Sequence, residues 1–110
     1  MNATISLPPV IATYFDADRT DDIDGLIECF AEDARIHDEQ EDHVGREAIR
    51  AWKLAARQKY QYTSTPLSVR EEGDTVIVHS RLEGNFPGSP VEVDYFFALR
   101  GDKITSLRID

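Results

Sequence analysis

An α+β domain, with three amphipathic helices preceding an antiparallel sheet, is predicted by three features of this 110-residue chain. In the first half, apolar side chains recur at three- and four-residue spacing in separate segments. From Tyr60 onward the pattern changes to β-branched and aromatic runs broken by Gly, Asp, Asn and Pro. No internal repeat or low-complexity stretch interrupts this order, and helices followed by strands is the arrangement in which helices cover one face of a sheet. The chain therefore reads as one domain over residues 1–110.

The first helix is expected to start at Ser6, whose side chain can accept from the free N–H groups of a helix start, with Pro8 and Pro9 tolerated in a first turn whose amides need no partner. Val10, Ile11, Tyr14 and Phe15 form its apolar stripe, and Asp16, Asp18 and Arg19 are expected to face water. Thr20 is the expected cap of a second helix. Asp21, Asp22 and Asp24 lie in its first turn, near the positive end of the helix dipole, and Ile23, Leu26, Ile27 and Phe30 form its buried stripe. These aspartates lack the glycine and terminal glutamate of a calcium loop. Cys29, between Ile27 and Phe30, reads as a buried thiol on this helix, and as the single cysteine it cannot form an internal disulfide.

Residues 34–38 read as a short strand, followed by a polar turn and a brief return strand carrying His43 and Val44. Gly45 opens the third helix, with Ile49, Trp52 and Ala56 on one face and Arg50, Lys53 and Arg57 expected to reach solvent. Residues 60–71, 75–86, 91–100 and 103–109 then read as a four-stranded antiparallel meander. In residues 91–99 both alternating sets are largely apolar, so this strand is expected to be covered on both faces, by the helices and by a second copy of the chain in a homodimer.

Charge narrows the function classes. With 21 acidic against 12 basic residues the formal net charge is -9, and no basic patch is visible, so nucleic acid is disfavoured as a partner. The first twenty residues show neither a basic segment followed by a long apolar run nor a membrane span, and a cytoplasmic location is the simplest expectation. His37, His43 and His79 share no spacing of a known metal site, so no metal is expected, and no cofactor is called for by any glycine-rich or nucleophile motif.

Tyr14 on the first helix, the segment Leu26-Ile-Glu-Cys-Phe-Ala-Glu-Asp-Ala-Arg-Ile36, the helix start Gly45-Arg-Glu-Ala-Ile49 and the stretch Phe96-Phe-Ala-Leu-Arg-Gly-Asp-Lys-Ile104 together resemble the nuclear transport factor 2-like superfamily, in its SnoaL-like branch. The match spans essentially the whole chain. It implies a strongly curved antiparallel or mixed sheet forming a cone-shaped pocket, helices at its mouth, and dimerisation through the outer sheet face. Three positions are similar to ketosteroid isomerase: Tyr14 and Asp94 as hydrogen-bond donors to a developing oxyanion, with Asp94 kept protonated, and Asp38 as general base.

Such chemistry needs a base over a carbon next to a carbonyl and donors aimed at the carbonyl oxygen. Trp52, Phe30 and Phe96 are the expected ligand-contacting side chains. The implied function is cofactor-independent proton transfer on a small carbonyl compound, of isomerase, cyclase or dehydratase type. The alternative is a non-catalytic ligand-binding or dimeric interaction module of the same fold. Two ordinary roles remain open beside these: Tyr14 as a core aromatic, and Asp94 as the partner of Arg81 or Arg108.

Overall fold

The structure, a computed structural model, describes residues 7–110. Its elements run α1 (Pro9–Arg19), α2 (Ile23–Glu28), β1 (Phe30–Asp38), β2 (Glu41–Val44), α3 (Arg46–Lys59), β3 (Tyr62–Glu72), β4 (Thr75–Gly84), β5 (Val91–Arg100) and β6 (Lys103–Ile109). Ser6, expected to cap the first helix, lies outside the described residues; Pro8 occupies the cap position and Pro9 the first turn. The cap of α2 is Asp22, whose carboxylate accepts from the Gly25 amide at 3.0 Å, and not Thr20. Thr20 instead donates its hydroxyl to the Asp16 carbonyl at 3.0 Å and closes α1.

The expected meander forms, but it is part of a larger sheet. Six strands lie in the order β2-β1-β6-β5-β4-β3, and β1 pairs parallel with β6 while the other pairings are antiparallel. The reason is local. The first strand is longer than residues 34–38, because the chain is already extended at Phe30, which therefore does not continue the stripe of α2. The Arg46 side chain donates twice to the Phe30 carbonyl, at 3.0 and 2.7 Å, and the Ile104 amide donates to the Cys29 carbonyl at 2.8 Å, so this backbone is satisfied by tertiary partners and not by another helical turn. Cys29 is buried, as expected, but caps the helix end. Pro66 breaks no central ladder because β3 is an edge strand, and the β3–β4 register shifts between Pro66 and Ser68.

Strand register separates two sheet faces. Val78 opposite Tyr95 and Phe97 opposite Leu107 belong to the face that joins Ile11, Tyr14, Phe15, Leu26, Phe30, Ile36 and Ile49 in the core. His79 opposite Asp94, Ile77 opposite Phe96 and Phe96 opposite Arg108 belong to the other. In β5, the set of Val93, Tyr95 and Phe97 thus takes the core side.

Two charged residues expected in water are in the core. Asp18 is 4% exposed and Lys53 2%. The Lys53 Nζ donates to Asp18 Oδ1 at 2.9 Å, and Arg57 Nη2 reaches the same oxygen at 2.9 Å. Asp18 lies four residues after Tyr14, and Lys53 four after Ile49, so each is on the inward stripe of its helix. Removing either ion from water alone costs several kcal/mol, roughly, and the mutual attraction with the added hydrogen bonds offsets that cost.

Candidate functional site

A cavity of about 560 Å3 opens between the end of β1, helix α3 and strands β3 to β6. That volume is within the roughly 300–1,000 Å3 typical of small-molecule pockets. Trp52, Tyr60, Tyr62, Phe86 and Tyr95 supply aromatic wall, Leu82, Val93 and Ile109 aliphatic wall, and Asp38, Glu39, Gln40 and Asp110 polar groups. Aromatic and aliphatic walls thus combine with several hydrogen-bonding groups, His37 among them, a composition that can orient a small organic molecule.

Asp38 is the last residue of β1 and lines the cavity. Its Oδ2 accepts a hydrogen bond of 3.0 Å from Trp52 Nε1, and Trp52 is placed by the inward stripe that also carries Ile49. The turn that follows is tight. Glu39 (φ 52°) and Gln40 (φ 66°) are both left-handed, a conformation disfavoured for residues with a Cβ, and they return the chain so that Glu41 pairs with Asp38. Strain of about 1–3 kcal/mol per such residue is held by the hairpin and sits beside the carboxylate.

Two tyrosine hydroxyls of the lining residues are fixed by hydrogen bonds. Tyr62 accepts from Lys53 Nζ at 3.4 Å, and Tyr95 shares a hydrogen bond of 3.2 Å with Ser64. Burial raises the pKa of the Tyr95 phenol, so it stays protonated.

Of the residues expected at the site, Asp38 and Trp52 come together. Tyr14 and Phe30 do not line the cavity. Tyr14 is 0% exposed, its ring packs edge-on against Phe15, Phe30, Tyr95 and Phe97 at centroid distances of 5.2 to 6.4 Å, and its buried hydroxyl has no partner among the described residues. Burial pushes its titration well up. Asp94 and Phe96 are on the outer face. Asp94 Oδ1 is 2.7 Å from His79 Nδ1, while the other ring nitrogen of His79 is 2.7 Å from Glu92, and the Arg108 guanidinium lies 4.2 Å from the centre of the Phe96 ring.

Asp94 therefore lacks the apolar surround shared with Tyr14 that a neutral donor needs, and its Oδ1 is engaged by the His79 ring nitrogen. The group beside it is the His79 imidazole, its cross-strand partner on β4, and neither Arg81 nor Arg108. Those hydrogen bonds to Asp94 and Glu92 in turn raise the His79 pKa. The placement follows from alternation, since the more apolar set of β5 takes the core face and Asp94 is in the other set.

The sequence pattern does not single out Tyr62, Tyr95, Asp18 or Lys53 as site residues. The four-residue spacing of Tyr14 with Asp18 and of Ile49 with Lys53 was the available signal for the charged pair. Nothing in the sequence signalled that Tyr62 would meet Lys53 across an element boundary. Among the described residues no group of three or more His, Cys, Asp or Glu is placed to hold a metal ion, and no helix is long and apolar enough to cross a membrane.

A sequence model described as SnoaL-like domain matches residues 11–107. Among solved structures, a Sinorhizobium meliloti protein assigned as a polyketide cyclase is 40% identical, with a TM-score of 0.92, covering 94% of this chain and 95% of that one. A Catenulispora acidiphila protein with a ketosteroid isomerase-like fold, in complex with trimethylamine, is 23% identical with a TM-score of 0.82, over 96% of this chain and 86% of that one. An NTF2-like protein of unknown function from Cytophaga hutchinsonii is 17% identical with a TM-score of 0.78, over 100% and 93%. A search of curated proteins finds no match.

Proposed function

The chain belongs to the SnoaL-like domain family, and on that premise we propose that it binds a small carbonyl compound in a cone-shaped pocket and moves a proton on it without a cofactor, as an isomerase, cyclase or dehydratase does. One observation carries the reading: the Asp38 carboxylate is held by the Trp52 N–H at 3.0 Å on the wall of a cavity that also carries aromatic and aliphatic side chains. Held through Oδ2, the carboxylate presents its other oxygen, which has no protein hydrogen-bond partner among the described residues, as the base. The Sinorhizobium meliloti protein, assigned as a polyketide cyclase, supports the same reaction class, since cyclisation of a polyketide also begins at a carbon next to a carbonyl.

The test is exchange of the acidic C–H protons of a panel of enolisable ketones into deuterated buffer, followed by NMR. The protein accelerates exchange of at least one ketone, and Asp38→Asn lowers that rate about 100-fold or more, because an amide cannot take the proton. Equal exchange by the two proteins overturns the assignment of Asp38. A cavity that binds ketones without any exchange leaves the non-catalytic binding module. The outer sheet face, with Ile77 and Phe96 at its centre, is the surface proposed to meet a second copy of the chain. Light scattering that finds only monomer at micromolar concentration would rule that assembly out.

A further inference from the structure

The donor that the site needs besides Asp38 is absent from both positions the sequence suggested, since neither Tyr14 nor Asp94 lines the cavity, and a different one is built into β3. We infer that Tyr62 is the hydrogen-bond donor to the substrate's carbonyl oxygen and that Lys53 is its positioning residue. The inference rests on the reading of the cavity as a carbonyl-binding site.

A lysine ammonium has only N–H donors, so in the 3.4 Å contact with Lys53 the Tyr62 oxygen is the acceptor. The phenol's own O–H is then left for another acceptor, and Tyr62 lines the cavity that also holds Asp38. Tyr95, another tyrosine of the wall, is 3.2 Å from the Ser64 hydroxyl, with either group able to donate, whereas the Tyr62 oxygen has the Lys53 ammonium as its donor. Lys53 cannot reach solvent, being 2% exposed, and is fixed by Asp18 at 2.9 Å, so α1 and α3 together set where its charge lies. The same ammonium lies 4.7 Å from the centre of the Trp52 ring, whose N–H holds Asp38. One buried cation thus stands behind both Tyr62 and the indole that holds Asp38.

In the reaction, Asp38 takes a proton from the carbon next to the carbonyl. The C–H electron pair becomes the new C=C bond, the carbonyl π pair moves to oxygen, and that oxygen accepts from the Tyr62 O–H. Where the substrate is an unsaturated ketone, delivery of that proton from Asp38 to a different carbon of the conjugated enolate, as the oxygen's pair re-forms the C=O bond, completes an isomerisation with no atom gained or lost. A phenol oxygen that accepts from an ammonium is a stronger donor, and a contact of 3.4 Å has room to shorten as charge develops on the substrate.

The experiment measures binding, so it stands apart from the exchange test. It is done in Asp38→Asn, which imitates the neutral acid present after proton removal and takes away the carboxylate that would repel an anion. The probes are 4-nitrophenolate, as the anionic oxygen, and nitrobenzene, of the same shape without it. Asp38→Asn binds the phenolate more tightly than nitrobenzene. Adding Tyr62→Phe or Lys53→Met weakens phenolate binding about 10- to 100-fold, the range for a hydrogen bond to a charged group, and leaves nitrobenzene within about twofold. The two changes together weaken it no more than either alone, because Lys53 acts through Tyr62.

Should Lys53→Met fail to fold, Asp18→Asn with Lys53→Met removes both charges of the pair and takes its place. Equal loss of both probes, additive losses, no loss, or no phenolate preference in Asp38→Asn each overturns the inference. A protein whose ketone exchange depends on Asp38 yet shows no phenolate preference keeps the proton-transfer reading and loses Tyr62.

Discussion

Asp38 and Asp94 lie on opposite faces of one sheet and differ in what holds them. Asp38 accepts from the neutral N–H of Trp52 and looks into an aromatic cavity, whereas Asp94 is paired with His79, which also touches Glu92, on the outer face. A neutral donor orients a carboxylate without cancelling its charge, which suits a base. An imidazole between two carboxylates is drawn to its charged form and neutralises them, which suits a surface ion pair. The same contrast holds for cations: Lys53 is locked in the core against Asp18, while Arg108 lies over Phe96 on the outer face with about half of its side chain exposed. Side-chain type alone therefore says little about role; the face of the sheet decides it.

The largest expected effect breaks the inner face. Asp18→Ala removes the carboxylate that compensates Lys53 and Arg57 and is expected to destabilise the fold by about 3–5 kcal/mol, as loss of one partner of a buried pair does. Asp94→Ala on the outer face is expected to cost under about 1 kcal/mol, since its carboxylate and His79 are both partly exposed. Chemical denaturation of both variants checks the contrast, and similar losses would erase it.

A smaller effect isolates the support of Asp38. Trp52→Phe keeps an aromatic wall but removes the N–H, and is expected to cost about 1–3 kcal/mol through the lost hydrogen bond to a charged group. Ketone exchange should fall with it while phenolate binding at Tyr62 persists. Denaturation and exchange measured on the same protein separate the two effects.

The smallest concerns pH. His79 has its pKa raised by hydrogen bonds to Asp94 and then Glu92, so the folded state holds the proton more tightly than the unfolded chain. Its contribution to stability is full below the unfolded value of about 6.5 and is lost as pH rises through the raised folded value. The stability difference between the wild type and His79→Gln is accordingly expected to be greater at pH 6 than at pH 9. An equal difference at both pH values would place the imidazole outside any linkage with its carboxylates.

Much of this was legible in the chain. The stripes of Ile11, Tyr14 and Phe15 and of Ile49 and Trp52 marked core faces because helical periodicity reports burial directly, and Asp38 at a strand's end, with Trp52 in the next helix, identified one wall of the cavity. Phe30 was misplaced because an apolar residue after Ile27 fits a helix stripe and a strand start equally well, and the parallel partner β6 lies more than seventy residues away in the chain. Asp94 was misplaced for a different reason. Its local surround of Val93, Tyr95 and Phe96 is apolar along the chain, but alternation sends Asp94 and Phe96 to the face away from Val93 and Tyr95.

Asp18 and Lys53 show where the boundary lies. Their spacing from Tyr14 and Ile49 put both on inward stripes, while their charge argued for water, and within either helix nothing decides between the two. Sequence by itself determined the periods, the turns and hence the α+β class, because those depend on near neighbours and on the preferences of single residues. Only the tertiary structure brought α1 and α3 close enough for a 2.9 Å ion pair and set Tyr62 beside it. A buried charge is stable only with its partner present, and here that partner is 35 residues away along the chain.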